Sequence, residues 1–181
     1  MVTLRRLRVL ATLTALLISG CGYTTQSMLP ADVKTVYIAP VKNGIDLSGE
    51  IDEKHPFKAY RPGLEVDITN DIINRFVFDG TLKVVPRDKA DAILNGTLID
   101  YRRDPLRYSE SDEVQESRLS VIVNFSLVRT SDEKPIVSDS TVTGDTSFFI
   151  AGAHAISEDE AAARAVDDLA KRVIEKVVEV W

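Results

Sequence analysis

Cysteine, histidine and positive charge are all scarce in this chain of 181 residues. Its one cysteine, Cys21, rules out an internal disulfide and any cysteine-rich zinc site. The two histidines, His55 and His154, are almost a hundred positions apart, and neither has a second His or Cys at ligand spacing. Each reads as a loop histidine, and no metal ligand is nominated. The chain has no Walker loop, no G-x-S-x-G elbow, no G-x-G-x-x-G turn and no EF-hand loop. Carboxylate pairs such as Glu158 and Asp159 are explained by helix capping, and Asp88 and Asp91 flank a turn. No catalytic residue and no cofactor is therefore expected, and the chain reads as something other than an enzyme. With 22 basic residues against 28 acidic ones, the net charge is −6, a poor match to nucleic acid.

Long apolar runs are missing too, except at the N-terminus. Arg5, Arg6 and Arg8 make a basic start, Val9 to Ile18 is mostly apolar, and Ser19-Gly20 leads straight into Cys21. That run is too short for a membrane span, which needs about 20 apolar residues, but it has signal-peptide length. Small residues directly before the single cysteine match a bacterial lipobox. Residues 1–20 are then a lipoprotein signal peptide, Cys21 is the acylated first residue, and residues 21–32 form a polar tether. Acyl chains buried at about 0.8 kcal/mol per CH₂ give a stable anchor once two or more are present. Cleavage removes three arginines and no acid, so the mature chain carries a net charge of −9. Gly22 behind the cysteine favours outer-membrane sorting among lipoproteins in general.

The remaining residues, 33–181, suit one domain. Val33 to Pro40 is β-branched and closed by proline, a first strand. Asn43 to Gly63 has no clear period and reads as a long loop. Leu64, Ile68, Ile72 and Phe76 recur every four residues, which predicts a helix ending at Asp79-Gly80. Strands are expected over Leu82–Pro86, Ile93–Tyr101, Val114–Thr130 and Ile136–Ile150, with Gly144 marking a bulge. Ser157 and Glu160 form a capping box for a last helix whose apolar stripe is Ala162, Val166, Leu169, Val173, Val177 and Val180. The fold class that follows is α+β: a two-layer sandwich, its mainly antiparallel sheet covered on one face by two amphipathic helices.

One spot is both basic and aromatic. Arg102, Arg103 and Arg107, with Tyr101 and Tyr108, gather where the Ile93–Tyr101 strand is expected to turn toward its successor, and Glu110, Asp112 and Glu113 follow. Guanidinium forks suit phosphates and carboxylates, so these arginines either hold an anionic ligand or pair with the neighbouring acids.

Taken in order, these segments resemble the LptE family of lipopolysaccharide-assembly lipoproteins. The resemblance is carried by Cys-Gly-Tyr after the lipobox, VKTVYIAPVKN, PGLEVDITNDIINRF, DGTLKVV, KADAILNGTLIDYRRDPLRY, TVTGDTSFFIAG and the terminal helix ending in Trp181. It covers nearly all of the mature chain and points to a divergent, non-enterobacterial member, because the Asn43–Gly63 segment is long and no extended C-terminal tail follows. The resemblance implies a non-enzymatic, palmitate-bearing outer-membrane protein of a Gram-negative cell. Such a protein sits on the periplasmic side or inside the lumen of an LptD-like β-barrel, and binds lipopolysaccharide. Arg107 is then the first lipopolysaccharide-binding candidate, with Arg103 and Arg102 behind it. The alternative is another outer-membrane lipoprotein of similar fold, a scaffold or an activator of a periplasmic enzyme such as a peptidoglycan synthase.

Overall fold

A computed structural model describes residues 29–45 and 61–178. The signal segment, Cys21, His55, most of the Asn43–Gly63 loop and Trp181 lie outside the described residues. Chain order is β1 (Thr35–Ile38), β2 (Lys42–Asn43), α1 (Leu64–Asp79), β3 (Lys83–Val84), a 3₁₀ turn (Arg87–Lys89), β4 (Ala92–Tyr108), β5 (Val114–Arg129), β6 (Pro135–Phe149) and α2 (Glu158–Val178).

The result is an α+β fold with a six-stranded mixed sheet of order β3-β1-β4-β5-β6, β2 pairing beside β1 on the rest of β4. The three long strands form the expected antiparallel meander. The short strands are parallel: β1 to both β3 and β4, and β2 to β4. A strand that returns through a helix must run parallel to its neighbour, and α1 is the crossover between β1 and β3.

Both helices cover the same face. α1 lies over β1 and β3, α2 lies over β5 and β6, and the two helices touch each other. Leu64, Ile68, Ile72 and Phe76 of α1 are all buried, as their spacing predicts. From α2 come Ala162, Val166, Leu169, Val173 and Val177, together with Ala161, Ala165, Ala170 and Ile174. They meet Leu119, Val121, Val123, Phe125 and Leu127, the inward row of β5. Gly80 ends α1 in the left-handed region at φ 74°, its N–H donating to the Phe76 carbonyl. Ser157 Oγ accepts from the Glu160 N–H at 3.1 Å, but the Glu160 carboxylate turns to Arg164 at 2.7 Å, so only half of the capping box forms.

Two expectations need correction. Gly144 is not a bulge: it pairs in register with Val121, and the irregularities of the β5–β6 ladder fall around Leu127. Its lack of a side chain serves packing instead, since a Cβ there would stand 2.2 Å from the Ala165 carbonyl oxygen and 2.6 Å from the Leu169 backbone nitrogen. β4 also runs on past Tyr101 to Tyr108, through Pro105. The bulges between Leu98 and Asp100 and beyond Pro105 let a sequence with broken alternation stay paired. Among the described residues, no helix is long and apolar enough to cross a membrane.

Candidate functional site

The basic cluster therefore sits on a strand, not on a loop, and strand alternation splits it. Arg103 pairs with Leu119, on the helix-covered side of the sheet. There its Nη1 donates to Glu158 Oε2 at 2.8 Å, and Tyr101 Oη donates to Glu158 Oε1 at 3.1 Å. Tyr101 is buried, and burial, followed by the Glu158 charge, pushes its hydroxyl well above the usual phenol range. This trio ties the first residue of α2 to β4.

The other arginines face the side of the sheet away from both described helices. Four cross-strand rows follow from the register: Arg107–Glu116–Phe149, Asp104–Arg118–Ser147, Arg102–Ser120–Asp145 and Asp100–Ile122–Thr143. Arg107 is the most open of the predicted residues, its side chain 62% exposed; it reaches Glu116 at 3.6 Å and lies 5.9 Å over the Phe149 ring. Arg102 pairs with Asp104 at 3.2 Å, both about half exposed. Ser120, buried on this face, donates to Asp145 Oδ1 at 2.5 Å.

Arg118 is the residue that sequence reasoning passed over. It is exposed and lies between the rows of Arg102 and Arg107, which gives the open face three guanidinium groups. Its place in the alternation of β5 was legible; its distance in sequence from the Arg102–Arg107 cluster hid the connection. Beyond these rows the β4–β5 turn is tied by Ser109 Oγ, which accepts from the N–H groups of Ser111 and Glu113. A shallow recess of about 690 Å³ opens there against Tyr108, Ser109, Glu110, Ser111 and Gln115. Leu106, Tyr108 and Ile150 expose apolar surface at the same end.

This arrangement can bind an anion amphipathically. Guanidinium groups with exposed, weak ion pairs give up little to exchange a carboxylate for a phosphate, and apolar side chains stand next to them. Nothing in it resembles a nucleophile with its base. Among the described residues, no three His, Cys, Asp or Glu side chains are grouped so as to hold a metal.

A family model, LptE, described as lipopolysaccharide-assembly, matches residues 33–179. No curated protein matches the chain. Among solved structures, a minor lipoprotein from Acinetobacter baumannii is similar over 82% of this chain and 93% of its own, at 15% identity and a TM-score of 0.50. The PelC dodecamer from Paraburkholderia phytofirmans aligns over 84% and 92%, at 12% identity and a TM-score of 0.48. Rare lipoprotein B from Shewanella oneidensis aligns over 77% and 92%, at 12% identity and a TM-score of 0.43.

Proposed function

Because the chain belongs to the LptE family of non-enzymatic lipopolysaccharide-assembly lipoproteins, we propose that it is the lipid-anchored partner of an LptD-type outer-membrane barrel. In this reading residues 1–20 are removed, Cys21 carries the acyl chains, and residues 33–181 stand on the periplasmic side of the outer membrane or in the barrel lumen. The domain supports the barrel and holds lipopolysaccharide as it passes. A polar open sheet face suits a barrel lumen, which is itself polar.

The observation that carries the lipid-binding part is the row pattern on β4 and β5. It puts Arg107, Arg102 and Arg118 on the sheet face away from both described helices, beside exposed Leu106 and Tyr108. Phosphates of the lipid would meet the guanidinium groups, each charge-assisted contact contributing about 1.5–3 kcal/mol. Arg103 is a positioning residue in this scheme, because its guanidinium group holds Glu158.

Binding of purified lipopolysaccharide to the protein tests the assignment. Arg107→Ala with Arg102→Ala should weaken affinity by about tenfold or more with an unchanged melting temperature. Arg103→Ala should instead lower the melting temperature, since it removes the cation that Glu158 pairs with and leaves Tyr101 as its remaining donor. Unchanged affinity in a folded Arg102/Arg107 variant would move the lipid site elsewhere. Affinity purification from detergent-solubilised membranes should bring down a large β-barrel. Recovery of a peptidoglycan synthase in its place would favour the activator reading.

A further inference from the structure

The end of the sheet opposite the β4–β5 hairpin holds an unexplained feature. Phe78, in the last turn of α1, is 84% exposed and Val77 is 66% exposed, the two most exposed large apolar side chains among the described residues. The Arg75 guanidinium group lies 5.9 Å from the Phe78 ring centroid.

This corner lies where the chain enters the fold. The exit of α1 leads in five residues from Phe78 to Lys83, whose N–H donates to the Lys34 carbonyl, and Lys83 pairs with Thr35 at the start of β1. Leu29 and Val33, the first buried side chains among the described residues, precede that strand. Eight Cα steps separate Leu29 from Cys21, a reach of at most about 28 Å even when fully extended. β4 alone, with its 17 residues, is about 55 Å long. An acyl chain on Cys21 therefore keeps this end near the bilayer, and the hairpin end can point away from it.

Charge agrees with that placement. Segments 32–35 and 75–91 hold five cations, Lys34, Arg75, Lys83, Arg87 and Lys89, against four acids, Asp32, Asp79, Asp88 and Asp91, in a chain of net charge −6. Lys34, Lys83, Arg87 and Lys89 are exposed. An aromatic ring flanked by cations is the side-chain set that settles at the boundary between headgroups and acyl chains.

We propose that the Val77–Phe78 corner docks on the bilayer that carries the Cys21 lipid, with Phe78 in the headgroup boundary and Arg75, Lys83 and Lys34 against lipid phosphates. The corner thereby sets the domain upright and fixes where the hairpin points. This rests on the acylation of Cys21 proposed above.

The test uses the full acylated protein reconstituted in vesicles of phosphatidylethanolamine and phosphatidylglycerol. Acylation caps the native thiol, so Phe78→Cys and, near the other end of α1, exposed Val66→Cys each offer one site for an environment-sensitive dye. The dye at position 78 should emit further to the blue in vesicles and lose intensity to spin-labelled lipid, whereas the dye at position 66 should keep its aqueous spectrum. Protein that floats with vesicles but keeps an aqueous signal at position 78 overturns the docking. A blue-shifted signal at position 78 that spin-labelled lipid does not quench also overturns it, because protein then covers the corner. Protein that fails to float, and takes up no labelled fatty acid, overturns the acylation first and the docking with it. Both variants should melt with wild type, since each side chain replaced is solvent-exposed.

Discussion

Gly144 and Asp91 show how much single residues decide here. α2 crosses β6 so closely at Gly144 that any Cβ would overlap the backbone around Ala165 and Leu169. A backbone contact cannot rotate away as a side chain does, so Gly144→Val should lower stability by about 3 kcal/mol or prevent folding. Thermal unfolding checks this, and a melting temperature equal to wild type would mean that α2 does not lie where it is described. Asp91 closes the start of β1: its Oδ2 accepts from the Lys34 and Thr35 N–H groups and from Thr35 Oγ1. The Thr35 hydroxyl, then the Lys34 N–H, hold the Asp91 carboxyl below its usual range. A folded-state pKa below the unfolded value adds stability above about pH 3.8, and that stability is lost as the pH falls through the folded value. Asp91→Asn should therefore cost about 1–2 kcal/mol near neutrality, with the gap to wild type closing below pH 4. A gap that stays constant from pH 7 to pH 3 would show that the charge of Asp91 plays no part.

At the scale of elements, α2 does most to fix the sheet. Its stripe was legible because six apolar residues at helical spacing leave one face to bury, and Val173 is fully buried. Val173→Asp should cost more than about 3 kcal/mol, by burying an unpaired charge. Lys171→Asp, on the outer face and 3.9 Å from Glu175, should cost well under 1 kcal/mol. Equal melting temperatures would reverse the assignment of the faces. Less legible was what the polar side of α2 does. Asp168 accepts the Asp145 N–H of β6 at 3.0 Å while paired to Arg172 at 2.8 Å, which satisfies a donor on what is, among the described residues, the edge strand of the sheet. In the sequence Asp168 reads as a solvated residue, since nothing local says that its helix will overhang a sheet edge. Asp71 of α1 shows the opposite effect of helix packing: burial, then Asp167 and Asp67, raises its carboxyl above the usual range.

For the whole molecule, the proposed acylation of Cys21 is the premise on which the bilayer docking depends. Cys21→Ala should abolish incorporation of labelled fatty acid and leave an uncleaved or mis-sorted precursor, because only the thiol accepts the diacylglyceryl group. Labelled lipid on the Cys21→Ala protein would sink the lipobox reading. A fully processed chain that still takes up label elsewhere would also leave the short tether without its anchor.

The sequence by itself determined the two helices, the inward row of β5 and the end of α1 at Gly80. Each is written in local periodicity or in a residue whose backbone freedom is special, and each needs no knowledge of distant neighbours. Only the tertiary structure decided that β1, β2 and β3 are parallel members of the sheet, that β4 continues to Tyr108, and that adjacent Arg102 and Arg103 do different work. Strand residues alternate faces, and register between strands is a long-range property set by a few bulges and by the core. A run of arginines that reads as one patch along the chain therefore splits, once paired, into a tether for α2 at Arg103 and an exposed face that Arg102 and Arg107 share with Arg118.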